Sequence, residues 1–259
     1  MVKIGIIGGS GLDDPKILKN PRDIELETPY GKPSSPLACG EIEGVEVAIL
    51  ARHGRDHSVM PTRVNFLANI HALKEVGCTH ILAATAVGSL REEIKPGNLV
   101  FPNQFIDFTR HRNLTFFHDK VVHTPMAEPY SKELTEILCG ACDELGFEYN
   151  RDVTVVTIEG PRFSTKAESR IFRAWGADII NMSTCPEVIL ANELGLPYQT
   201  IAMSTDYDCW KDDEDPVTFE MVMERMKENA DRVKALLVRS IRRIAHDDQI
   251  KDTNSPALA

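Results

Sequence analysis

Between Ala177 and Trp210 the chain reads ADIINMSTCPEVILANELGLPYQTIAMSTDYDCW. That order of apolar run, helix start and second apolar run is the pattern of one supersecondary unit. Asp178-Ile179-Ile180 reads as a short strand that ends on the polar pair Ser183 and Thr184. Thr184 and Glu187 have the T-x-x-E spacing of a capping box, with Pro186 in the first turn. Gly195 and Pro197 stop the helix, and Tyr198 to Met203 reads as a second strand. Strand, crossover helix and parallel strand make a βαβ unit, which predicts Ser183 and Asp206 at one edge of the sheet. Open α/β sheets bind ligands at that edge. A hydroxyl beside a helix N-terminus suits an anion, and the paired carboxylates of D-Y-D suit a donor-rich or protonatable ligand.

The 259 residues are 42% hydrophobic, enough for a full core. No linker or internal repeat divides them, so one domain is expected over residues 1–246, followed by a polar, frayed tail at 247–259. A formal charge of −10 argues against nucleic acid or an anionic membrane as partner, since both need a basic face. No apolar run approaches the ~20 residues of a membrane span, and the six cysteines show no disulfide framework. A reducing, cytoplasmic setting is the expectation.

Several other strand ends carry polar groups. Val2 to Ile7 runs into Gly8-Gly9-Ser10-Gly11, where Ser10 either holds a phosphate or belongs to a plain tight turn. The dinucleotide fingerprint is absent, because the sixth position of G-x-G-x-x-G is Asp14. Leu37 to Ile42 and Val45 to Ala51 form a hairpin across Glu43-Gly44 and deliver Arg52-His53-Gly54-Arg55-Asp56-His57. That motif is either an anion site using the bidentate fork of Arg52 or a solvated loop.

A helix follows over Pro61 to Val76, then a strand over Thr79 to Ala84 that places Thr85 at its end. Leu99 to Phe101 and a second short run near Phe105 are further strands. His111, His118 and His123 match no zinc spacing and read as loop histidines. Cys139 and Cys142 form a C-x-x-C inside the helix Ser131 to Leu145, away from the helix start that a redox motif needs. Asp152 to Ile158 leads into Glu159 to Ser164, where Phe163 either stacks on a flat ring or packs in the core. Thr165 with Glu168 caps the next helix, and a long amphipathic helix spans Val217 to Ile244.

Taken together, GGSGLDDP, ARHGRDH, TAVGSLREEI, IEGPRFSTKAES, INMSTCPEV and MSTDYDCW resemble the methylthioadenosine phosphorylases of the purine nucleoside phosphorylase superfamily, in order from Ile4 to about Leu237. The resemblance implies a single α/β domain with a twisted mixed β-sheet flanked by helices, assembled as a homotrimer. It implies phosphorolysis of S-methyl-5′-thioadenosine to adenine and 5-methylthioribose 1-phosphate, with phosphate as co-substrate and no metal or organic cofactor. By the same resemblance, phosphate is held by Ser10, Arg52, His53, Thr85, Ala86 and Ser183. Met182 meets the ribose, Phe163 and Ser164 lie by the purine, and Asp206, Tyr207 and Asp208 form its polar edge. His123 of a neighbouring subunit, Phe219 and Val222 surround the methylthio group.

The chemistry agrees with these residue types. Breaking the glycosidic bond puts positive charge on the ribosyl ring and negative charge on the purine. A held phosphate stabilises the first, and a proton from Asp206 to N7 relieves the second once burial raises its pKa. D-Y-D favours adenine, whereas 6-oxopurine enzymes of the superfamily tend to carry Asn there. A 6-oxopurine or methylthioinosine phosphorylase on the same fold is the nearest alternative. More remote are a binding protein that kept the fold and a histidine phosphatase using Arg52-His53-Gly54. The phosphatase needs a second histidine, and His246-Asp247 at the end of the long helix is the wrong context. Ser10 and Ser183 stand where relatives often have Thr, and Phe219 is bulkier than the usual aliphatic residue, which leaves the exact 5′ group open.

Overall fold

The computed structural model describes residues 2–8, 15–212 and 218–246. Ser10 and the 247–259 tail lie outside the described residues. Among the described residues there are nine strands, mostly apolar apart from the exposed β2: β1 (Lys3–Gly8), β2 (Lys19–Ile24), β3 (Leu37–Ile42), β4 (Val45–Ala51), β5 (His80–Ser89), β6 (Leu99–Phe108), β7 (Tyr149–Ile158), β8 (Ile179–Asn181) and β9 (Tyr198–Asp206). Five helices accompany them: α1 (Phe66–Glu75), α2 (Lys132–Leu145), α3 (Lys166–Ala174), α4 (Thr184–Glu193) and α5 (Phe219–His246).

Among the described residues the strands make one mixed sheet in the order β2-β3-β4-β1-β5-β8-β7-β6-β9, and β9 also pairs with β5. The sheet therefore closes on itself through β5, β8, β7, β6 and β9. Helices cover both faces. Leu134 and Leu138 of α2 pack with Val233, Leu237 and Ile241 of α5 against Ile4 and Ile6, while Leu67 and Ile70 of α1 pack with Val188 and Leu190 of α4 against Ile7. This is the period-2 alternation of a strand buried on both sides.

Local signals placed most of these elements. The β3–β4 hairpin turns through Glu43 at φ 51° and Gly44 at φ 79°, the left-handed pair that matches the twist of its strands. The Thr165–Glu168 capping box is present in full at α3, and Gly146 ends α2 in the left-handed region. Cys139 and Cys142 are buried and unpaired in α2.

Other expectations change. The helix expected from Pro61 begins at Phe66, with Asn65 as its cap and a short 3-10 turn before it. The two runs around Phe101 and Phe105 are one strand, β6, broken in register at Pro102. Strand β5 does not stop at Ala84 but continues to Ser89, which puts Thr85 inside the strand.

The parallel βαβ unit is also overturned. β8 runs antiparallel to β5, whereas β9 runs parallel to it, so the two strands flanking α4 run in opposite directions. The cause is the length of β5. One edge pairs with β1 only as far as Ala83, and β8 takes over that edge at Gly88 and Ser89. The other edge keeps β9 to its end, so Gly88 faces Ile180 on one side and Asp206 on the other. Ser183 and Asp206 still converge, by sheet closure instead of a shared strand direction.

Candidate active site

A cavity of about 380 Å³ opens at this junction of β5, β8 and β9, within the size range of small-molecule sites. Its lining includes two hydrogen-bonded polar groups, one holding the Thr85–Ser183 pair and one holding Asp206, Asp208 and Ser164, along with apolar side chains. At one end stand Arg52, His53, Thr85, Ala86 and Ser183; at the other stand Asp206, Asp208 and Ser164. Met182, Ile158, Phe163, Phe219 and Val222 lie among them.

The first end is rich in donors. Arg52 is almost fully buried, yet its fork does not face the cavity unengaged. Nε and Nη2 donate to the carboxylate of Glu187 at 2.5 and 2.9 Å, and Nη1 donates to the Ala84 carbonyl at 2.9 Å. Glu187 also accepts from the Tyr198 hydroxyl at 3.0 Å. So Glu187 is not the capping-box residue of α4. It is fully buried beneath Arg52, and Ser183, which precedes α4 as its N-cap residue, makes no side-chain cap hydrogen bond. A buried charge needs a partner, and Arg52 supplied a stronger one than the helix N-terminus. Two N–H groups of Arg52 remain for an anion. The hydroxyls of Thr85 and Ser183 meet at 2.8 Å.

His53 closes this end. Its Nδ1 lies 2.8 Å from the Val59 carbonyl, so Nδ1 carries the hydrogen and Nε2 is the acceptor. Burial first, and Arg52 next, push its pKa down to about 4, so the ring is neutral at physiological pH. His57 stands beside it with ring centroids 5.0 Å apart, and it too lines the cavity. The second histidine near His53 is therefore His57, which sequence reasoning missed.

The second end is acidic. Both oxygens of Asp206 accept hydrogen bonds, from the Thr205 hydroxyl and from the Asp208 amide, each at 2.7 Å. Burial dominates all the same and raises its pKa to about 6, with the Asp208 charge adding to the shift. Asp208 is bonded by Ser164 Oγ at 2.6 and 2.8 Å and sits at φ 50°, the left-handed region that Asp tolerates better than most residues with a side chain.

Two glycines make room for these groups. A Cβ on Gly88 would lie 2.9 Å from Asp206 Oδ1, and one on Gly160 would lie 2.5 Å from Met182 Sδ. Gly88 was visible only as part of a strand-end motif, since nothing local reveals its approach to Asp206.

The comparisons with known proteins decide the family. A family model described as the phosphorylase superfamily matches residues 3–242. The chain belongs to the phosphorylase superfamily. Among curated relatives, S-methyl-5′-thioadenosine phosphorylase of Danio rerio is 53% identical over 253 residues, covering 95% of this chain and 90% of its own. That of Drosophila melanogaster is 52% identical over 257 residues, covering 97% and 89%. Methylthioadenosine phosphorylase from Schistosoma mansoni in complex with adenine superposes with a TM-score of 0.92 at 42% identity, covering 96% of this chain and 93% of that one. At this identity the chain belongs to the methylthioadenosine phosphorylase family within that superfamily.

Within this family frame, the structure gathers most of the residues singled out from sequence around one cavity: Arg52, His53, Thr85, Ala86, Phe163, Ser164, Met182, Ser183, Asp206, Asp208, Phe219 and Val222. Tyr207 is not among them. Its hydroxyl donates to the Glu92 carbonyl and its ring packs against Trp210, because alternation along the chain turns it away from its acidic neighbours. His123 is exposed in the irregular stretch between β6 and α2 and does not line its own chain's cavity. Ser10 lies outside the described residues. Glu187 did carry a signal, being the one charge in the first two turns of an otherwise apolar helix.

Proposed function

We propose that this chain catalyses phosphorolysis of S-methyl-5′-thioadenosine, releasing adenine and 5-methylthioribose 1-phosphate. The observation that carries the reading is the division of one cavity into a donor-rich end and a buried acid. Arg52, Thr85, Ala86 and Ser183 suit a phosphate beneath C1′, and the resemblance of the N-terminal motif would add Ser10. Asp206, with a pKa about 6, suits protonation of the purine at N7, and Asp208 with Ser164 suits its 6-amino edge. Met182 then faces the ribose, and Phe163 the base.

The relatives named above support the substrate class, as does a variant of the Schistosoma mansoni adenosine/methylthioadenosine phosphorylase in complex with methylthioadenosine, matched at TM-score 0.91 and 41% identity. Phosphate is the only co-substrate this chemistry requires. Phe163 and Phe219 are 41% and 56% exposed at the cavity rim. A neighbouring copy that brings His123 over that rim would complete a homotrimer of the kind the resemblance implies. All six cysteines are unpaired, which fits a cytoplasmic enzyme of purine and methionine salvage.

The test is incubation with S-methyl-5′-thioadenosine, with and without phosphate, alongside methylthioinosine, adenosine and inosine. Adenine release that depends on phosphate is the expected result. Release without phosphate would make the chain a hydrolase, and a preference for the inosines would move it to the 6-oxopurine class.

A further inference from the structure

We propose that His53 is the group that takes the phosphate's own proton during phosphorolysis, through Nε2 of a ring whose Nδ1–H is tied to the Val59 carbonyl at 2.8 Å. The inference rests on the phosphorolysis reading and adds a second proton-transfer residue to it.

Proton balance calls for such a group. Hydrogen phosphate dianion enters with one proton, and the sugar phosphate dianion leaves with none. Adenine leaves with one proton more than it had as a nucleoside. A phosphate oxygen forms the bond to C1′ while the C1′–N9 bond breaks and its electron pair goes to the purine. Asp206 gives a proton to N7. The P–OH that remains on the new ester is now far more acidic, with a pKa of about 6 for a phosphate monoester, and its proton passes to His53 Nε2. The enzyme ends with an Asp206 carboxylate and a His53 imidazolium. Exchange with water after product release returns the proton count of each group to its starting value.

The surroundings of His53 fit this duty. The other groups at the phosphate end are donors or are already bonded. Three of the five Arg52 N–H groups go to Glu187 and Ala84, and the Thr85 and Ser183 hydroxyls meet each other. Nε2 of His53 takes no hydrogen bond from the described residues, while the Val59 bond holds it as an acceptor. The charged and titratable groups facing the ring are Arg52, His57 and Arg112, and all of them resist an imidazolium until an anion is bound. Burial acts in the same direction. A bound phosphate dianion reverses that balance at the moment a base is needed.

An acceptor at this position also predicts which anions bind. Hydrogen phosphate offers Nε2 a proton, and sulfate has the same charge and shape but none to offer. Calorimetric titration of the full chain with each anion at neutral pH should show phosphate binding at least about tenfold more tightly, since one buried acceptor left unpaired costs roughly that much. The substitution His53→Gln keeps an oxygen acceptor but no base. It should hold phosphate within about fivefold of the parent chain while kcat falls by about 100-fold or more, the range of general-base contributions.

Equal affinity for phosphate and sulfate in the parent chain would overturn the assignment. So would a His53→Gln chain whose kcat stays within threefold of the parent. The anion comparison needs no variant and no turnover, so it stands even if His53→Gln fails to fold. Absence of phosphate-dependent adenine release from the parent chain would count against phosphorolysis itself and is read separately.

Discussion

Asp206 shows how one side chain can work against stability and for chemistry. Its pKa rises from 3.8 to about 6, chiefly through burial. A carboxyl that binds its proton more tightly folded than unfolded contributes stability at low pH, and that contribution is lost as pH rises from about 4 through 6. Two units correspond to roughly 3 kcal/mol. Asp206→Asn should therefore melt at a higher temperature than the parent at pH 8 and show little gain at pH 4. The amide keeps an oxygen for the Asp208 N–H, and its NH2 faces a Thr205 hydroxyl that also lies 3.3 Å from the Val87 carbonyl. The same variant should lose about 10²–10⁴ in kcat, the usual weight of a general acid. Thermal melts and steady-state rates across pH read both effects, and an unchanged kcat would remove Asp206 from the mechanism.

Glu187 is the complementary case, a buried charge whose value lies in what it holds. Replacing it by Gln leaves Arg52 buried with half of its partner gone, which should destabilise the chain by about 3–5 kcal/mol. Phosphate is the anion best able to compensate. Added phosphate should therefore raise the melting temperature of Glu187→Gln by more than that of the parent chain. Equal shifts would mean that Arg52 does not face the anion.

At the scale of elements, the same spacing gave two different outcomes. T-x-x-E at Thr165 and Glu168 is a complete capping box, on an α3 that presents its polar face to water. T-x-x-E at Thr184 and Glu187 is not, because α4 is buried against the sheet beside α1 and Arg52 reaches Glu187 from 135 residues away. Capping propensity is a local energy of about 1 kcal/mol, and a buried ion pair outweighs it. Strand β5 makes a related point. Its last residues pair with two strands of opposite direction, and Gly88 allows both to approach. Gly88→Ala would push a methyl against Asp206 Oδ1, Ile180 and Asp208. Crowding of this kind costs about 1–3 kcal/mol, and kcat/KM should fall because the purine end moves, while phosphate binding, measured calorimetrically, should remain within about twofold, a difference of some 0.4 kcal/mol. Equal losses at both ends would show that β5 shifts as a unit.

At the scale of the molecule, strand periods, the hairpin turn, helix caps and the heptad-like stripe of α5 are legible because each depends on neighbours within a few residues. So are the residue types of the site, since hydroxyls, an arginine and paired carboxylates at the ends of apolar runs are written along the chain. Closure of the sheet is not legible, because the pairing of β9 with both β5 and β6 joins segments far apart in sequence. Neither is the turning away of Tyr207, which sits between two site residues in the same short motif. What the sequence determined by itself was most of the elements, though not β2 or the full lengths of β5 and β6, and the chemical inventory they carry. The tertiary structure alone decided the directions of β8 and β9, the partner of Arg52, the tautomer of His53 and the raised pKa of Asp206. Each of those depends on desolvation and on contacts between residues that only folding brings together.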